Sequence, residues 1–211
     1  MFVKVCGITR LTDALYAVEQ GATALGFIFW PRSPRAVNPE RAAEIVAELP
    51  SSVTTFGVFV NEPIEGIRAM VAKTGITAVQ LHGDEPPAYA DALEWPLIRA
   101  VDADEVEDAC GAWSAQTLLL LDTIDPVRRG GTGVPVDWTL AAGVARRRRI
   151  VLAGGLTPDS VSTAIHAVRP YGVDVSSGVE SSPGVKDFGK VARFIANARS
   201  AFDMHRRKGE G

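Results

Sequence analysis

Cysteine is nearly absent: Cys6 and Cys110 are the two in 211 residues, far apart and without metal-type spacing, so neither a disulfide framework nor a zinc site is expected. A dominant charge is also missing. The net charge of -3 offers no basis for nucleic acid or an acidic membrane surface as a partner. No stretch approaches the roughly 18 apolar residues of a membrane span, and MFVKVCGITR is too short in apolar length for a signal sequence. A reducing cytoplasm is the expected setting. No linker, low-complexity tract or strong repeat divides the chain. What is there, 46% hydrophobic and 22% charged residues, describes one globular domain with a sizeable core.

Short apolar runs alternate with amphipathic segments. Strands are predicted over 2–6, 24–29, 53–60, 77–81, 96–101, 117–122, 151–153 and 173–175. Helices are predicted over 9–20, 39–49, 63–73, 87–93, 106–112, 137–143, from Thr157-Pro158-Asp159 through Val168, and 187–202. Eight strands each followed by a helix imply an α/β fold: a parallel sheet closed into a single-domain (β/α)8 TIM barrel over 1–203, with a frayed tail over 204–211. An open doubly wound sheet is the alternative, but it ordinarily carries a glycine phosphate motif after its first strand. Here the first turn reads CGIT, and the small-residue turns come last. The run Arg146 to Arg149 reads as a solvated turn on the N-terminal face rather than a nucleic-acid patch.

Chemistry in a closed barrel belongs to the C-terminal ends of its strands. Those ends hold Cys6, the loop from Trp30 to Arg35, Val60-Asn61, His82, Asp102, Asp122-Thr123, Gly154-Gly155 and Ser176-Ser177-Gly178. The last two turns expose backbone N–H groups and no bulky side chains, and they follow strands seven and eight, where barrels bind phosphate. Cys6 and Asp122 end strands one and six, so a base and an acid can flank one ligand across the mouth. Such a pair around a sugar phosphate describes an isomerase.

VKVCGITR, GFIFWPRSPRAV, GVFVN, VQLHGDE, LLLDT with GGTG and DW, LAGGLTPDSV and VDVSSGVESSPGVKD together resemble the phosphoribosylanthranilate isomerase family of tryptophan biosynthesis. The resemblance runs from residue 3 to about residue 195. It implies an Amadori rearrangement of N-(5-phosphoribosyl)anthranilate, a small-molecule substrate, with no metal or redox cofactor and a monomer or homodimer as the assembly. It implies Cys6 as general base, Asp122 as general acid and Arg35 as the holder of the anthranilate carboxylate, a task suited to a planar guanidinium. Gly154, Gly155, Ser176, Ser177 and Gly178 carry over as the phosphate site. The alternatives are the histidine-pathway barrel isomerase, expected to show two similar halves and an Asp where Cys6 stands, and a catalytically silent phosphate-binding barrel.

Other residues admit two readings. Gln80 suits barrel core or ligand contact, His82 reads first as structural, and Trp30 stacks on the substrate ring or packs over the rim. Lys4 and Asp174 point inward on neighbouring strands, and a buried charge needs a partner, so the two are expected to pair and set the surroundings of Cys6. Asp174 contacting the ribose is the other possibility. The glycine-rich loop over 123–136 is long for a strand-to-helix connection and is expected to act as a lid.

Overall fold

A period of two along each strand sends alternate side chains to opposite sides, and here both sides are apolar because the sheet is buried on both. In a computed structural model describing residues 1–123 and 136–209, the strands close into an eight-stranded parallel barrel. The expected lid therefore lies outside the described residues, apart from its ends. The strands are β1 (Phe2–Cys6), β2 (Ala24–Ile28), β3 (Thr54–Phe59), β4 (Ala78–Leu81), β5 (Leu97–Asp102), β6 (Leu118–Asp122), β7 (Ile150–Leu152) and β8 (Gly172–Val175). The helices around them are α1 (Leu11–Gln20), α2 (Pro39–Ala47), α3 (Ile64–Thr74), α4 (Ala88–Ala92), α5 (Val106–Ala112), α6 (Trp138–Ala145), α7 (Val161–Val168) and α8 (Phe188–Gly209).

Local chemistry explains most boundaries. Asn38 caps α2 by accepting from the Arg41 N–H at 2.7 Å, with Pro39 at the first helical position, and Gly21 and Gly75 end α1 and α3 in the left-handed conformation. Two expectations shift. The seventh helix starts at Val161 because residues 157–160 form a separate turn, in which the Thr157 hydroxyl accepts from the Ser160 N–H at 3.2 Å. The eighth continues to Gly209, past the expected end at Phe202. Unforeseen is a hairpin after β8, in which β9 (Glu180–Ser182) pairs antiparallel with β10 (Val185–Lys186).

Val3, Val5, Leu25, Phe27, Val79, Leu119, Leu121 and Leu152 face outward into the shell of helices. Inside the barrel, Ala24, Ala78, Ala100 and Ala153 alternate with Phe56, Ile98, Leu120 and Val151. The small residues make room for the large ones, Phe2 packing edge-on against Phe56 with centroids 6.2 Å apart. The arginine run before β7 does more than sit in solvent. Arg148 donates to the carbonyls of Cys110, Trp113, Ser114 and Thr117, and the Arg149 guanidinium lies 3.7 Å over the Tyr171 ring. Among the described residues no helix is long and apolar enough to cross a membrane.

Phe194 anchors α8 to the shell with no solvent exposure. Phe194→Ala is expected to cost about 3–5 kcal/mol of unfolding free energy in urea titration, the range for deleting a fully packed aromatic ring.

Candidate active site

The register Lys4↔Asp174 between β1 and β8 sets two charges side by side inside the barrel. The Lys4 Nζ lies 3.1 Å from each Asp174 carboxylate oxygen, and the lysine is wholly enclosed. Burial works against the Lys4 ammonium, but Asp174 and Cys6 together outweigh it and hold its pKa above the ordinary value. Two residues along β1, the Cys6 thiol is pushed up by burial, pulled back by Lys4 and pushed up again by Asp174, with a raised pKa as the result. Gly26 on β2 makes the crowding possible: a Cβ there would sit 2.6 Å from the Cys6 Sγ and 3.1 Å from the Lys4 Nζ.

Asp122 closes β6 at 9% exposure. Burial, and after it the charge of Asp174, pushes its carboxyl up to about 7, although the Thr123 N–H donates to Oδ1 at 2.8 Å. His82 stands next to it, Nε2 3.8 Å from the Asp122 Oδ2, while its Nδ1 lies 3.0 Å from the Gln80 Nε2. An amide nitrogen only donates, so Nδ1 accepts and the ring proton sits on Nε2, facing Asp122. His82 thus stands beside the candidate acid. The Gln80 Oε1 is enclosed and has no hydrogen-bond partner among the described residues.

The late turns meet at the same mouth. Gly154 and Gly155 follow β7 with φ of 71° and 63°, a path that glycine takes without strain. A Cβ on Gly154 would lie 3.4 Å from the Asp122 Oδ1, and one on Gly178 would overlap the Leu156 carbonyl, so the two turns pack directly on each other. Ser177 opens a 3-10 turn over Ser177–Val179, and the Ser176 Oγ is enclosed without a hydrogen-bond partner among the described residues. Enclosed polar atoms of this kind are what a polar ligand satisfies.

Arg35 reaches the mouth from the loop after β2. Its side chain lies across Gly7, where a Cβ would be 2.9 Å from the Arg35 Cδ and 3.0 Å from the Ser176 Oγ. The guanidinium is already engaged. Its Nε and Nη2 donate to the Glu180 Oε1 and Oε2 at 2.9 and 2.8 Å. Lys186, from the same hairpin, donates to the Glu180 Oε1 at 3.0 Å, to the Cys6 carbonyl at 2.6 Å and to the Ser176 carbonyl at 3.2 Å. Burial pulls the Lys186 pKa down, whereas for Glu180 the two cations overcome burial and hold its carboxyl below the ordinary value.

Other residues at or after the strand ends make local contacts. Asn61 exchanges hydrogen bonds with Asp84, and its N–H donates to Glu85, bracing the rim between β3 and β4. Asp102 accepts from the Asp104 N–H, and Trp30 carries the Arg32 guanidinium 5.2 Å over its ring.

The profile of one protein family, described as N-(5'phosphoribosyl)anthranilate (PRA) isomerase, matches residues 3–197. The chain belongs to this family. It is 48% identical over 198 residues to the N-(5'-phosphoribosyl)anthranilate isomerase of Pelobacter propionicus, covering 93% of this chain and 95% of that one. The crystal structure of phosphoribosyl anthranilate isomerase from Thermotoga maritima superposes with a TM-score of 0.87 at 44% identity, over 95% of this chain and 99% of that one. A crystal structure of phosphoribosyl anthranilate isomerase in complex with reduced 1-(o-carboxyphenylamino)-1-deoxyribulose 5-phosphate superposes with a TM-score of 0.84 at 43% identity, over the same shares. As a member of the phosphoribosylanthranilate isomerase family, the chain is an enzyme, an isomerase of tryptophan biosynthesis.

Sequence reasoning put Cys6, Asp122 and the late turns at strand ends and Arg35 in the loop after the second strand, where the structure has them, and the expected pairing of Lys4 with Asp174 is present. It missed Glu180 and Lys186. The available signal was two opposite charges inside the otherwise small and apolar run VSSGVESSPGVK.

Between its ordinary 3.8 and about 7, the folded chain holds a proton on Asp122 that the unfolded chain releases, so stability falls as pH rises through that window. Asp122→Asn is expected to be more stable than the parent at pH 8 by on the order of 4 kcal/mol, with the difference gone near pH 4. Urea unfolding at both pH values measures it.

Proposed function

We propose that this chain converts N-(5-phosphoribosyl)anthranilate to 1-(o-carboxyphenylamino)-1-deoxyribulose 5-phosphate, with Asp122 as general acid and Cys6 as general base. One observation carries the reading: a carboxyl held protonated near neutrality and a thiol beside an ammonium share one barrel mouth, linked through the Lys4–Asp174 pair. The packed turns Gly154-Gly155 and Ser176-Ser177-Gly178 supply the phosphate site beside them. Gln80 and Ser176 offer their enclosed oxygens to the ligand. Asp174 holds Lys4, and Arg35 receives the anthranilate carboxylate.

Asp122 gives its proton to the ribose ring oxygen as the bond from that oxygen to C1' breaks, leaving a cationic Schiff base between C1' and the anthranilate nitrogen. That cation makes the C2' proton acidic. Cys6 thiolate removes it, the C–H electrons form the C1'=C2' bond, and the nitrogen regains its lone pair as an enolamine. Tautomerisation moves the C2' hydroxyl proton to C1' and yields the ketone. The Lys4 ammonium stabilises the thiolate and the His82 Nε2–H stabilises the carboxylate left on Asp122, so each reacting group has a partner for its charged form.

The active protonation state, carboxyl neutral and thiol ionised, holds its proton on the stronger acid of the two and is a minor population. Its share rises with pH until Asp122 titrates and falls only above the thiol's elevated pKa. The logarithm of kcat/KM is therefore expected to climb to a plateau beginning about pH 7, and Asp122→Asn removes that bend. Loss of phosphoribosylanthranilate fluorescence is the assay. Cys6→Ala and Asp122→Asn are each expected to lower kcat by at least about 10²-fold, and unaltered turnover in either ends the assignment of that residue.

A further inference from the structure

We propose that Glu180 is a positioning residue that aims Arg35 at the substrate carboxylate and so sets the enzyme's preference for a carboxylated aromatic amine. The inference rests on the assignment of Arg35 above. Glu180 is 7% exposed and takes the Nε and Nη2 side of the guanidinium, fixing both the plane and the direction of a side chain that otherwise has several free torsions. A guanidinium can hold two carboxylates at once. With the Nε edge occupied by Glu180, its end bearing Nη1 and Nη2 remains to face the ligand.

The charges fit one further carboxylate. Arg35 and Lys186 contribute two positive charges, and Glu180 cancels one of them. The remaining positive charge is matched by a single anion, and because all three groups are largely enclosed its attraction is weakly screened. Lys186 supplies the alignment with the chemistry, since the ammonium that holds Glu180 also holds the Cys6 and Ser176 carbonyls. A carboxylate seated on Arg35 is thereby registered against the thiol and the phosphate turn. The antiparallel hairpin β9–β10 brings Glu180 and Lys186 into register as partners, and Gly184 between them donates its N–H to the Glu180 Oε1 at 3.2 Å.

The test compares kcat/KM for N-(5-phosphoribosyl)anthranilate with that for N-(5-phosphoribosyl)aniline, which lacks the carboxylate. The parent is expected to prefer the first, and Arg35→Ala to abolish the preference. Glu180→Gln, nearly the same shape without the charge, is expected to reduce the preference about tenfold, mainly through KM for the carboxylated compound. In an Arg35→Ala background, Glu180→Gln is expected to change the preference no further. The proposal is overturned if Glu180→Gln lowers both substrates equally, leaves the preference intact, or still shifts it without Arg35. If the Gln variant does not fold, Glu180→Asp, which keeps the charge but withdraws it, decides on the same ratio, an undiminished preference overturning the proposal. Arg35→Ala with an unchanged preference would remove the assignment of Arg35, and no turnover of either compound by the parent would remove the proposed function.

Discussion

A lysine buried inside a β-barrel is the constraint on which the catalytic end depends. Removing an ammonium from water costs several kcal/mol, and Lys4 is tolerated because Asp174 meets it with both oxygens in the neighbouring strand's matching register. The pair is neutral as a unit but strongly dipolar at short range. Cys6 lies toward the ammonium, which favours thiolate, while Asp122 feels chiefly burial and the carboxylate, which favour the protonated acid. One ion pair thus opposes the effect of burial at the thiol and adds to it at the carboxyl. The glycine at position 26 follows from the same crowding, since any side chain there would meet both the thiol and the ammonium.

A second, largely enclosed cluster lies above the first. Arg35, Glu180 and Lys186 join the loop after β2, the hairpin after β8 and the carbonyl at the end of β1. Cys6 belongs to both clusters: its thiol faces Lys4 below, and its carbonyl accepts from Lys186 above. A residue gripped at both ends has little freedom to move. Arg35 is likewise aligned before a ligand engages it. Stability and catalysis draw on different ends of the barrel, as the arginines before β7 show by tying α5 to strands at the opposite face.

Legibility in the sequence tracks how local each determinant is. Strand and helix positions were readable because apolar periodicity and stops such as Gly21 act within a few residues. The α7 start was misplaced because the Thr157 hydroxyl closes a turn that competes with helix entry, and the hairpin was missed because its strands are three and two residues long. The pairing of Lys4 with Asp174 was foreseeable despite 170 intervening residues, because barrel closure makes strands one and eight neighbours.

By itself, then, the order of residues determined an eight-unit barrel, a thiol and a carboxyl at strand ends, and two small-residue turns after the last two strands, because periodicity and turn chemistry are written in neighbouring positions. Only the tertiary structure decided that Asp122 keeps its proton near neutrality, that His82 stands beside it, and that Glu180, itself held by Lys186, holds Arg35. Those outcomes depend on burial and on distances of a few ångströms between residues far apart in the chain, which no local pattern encodes.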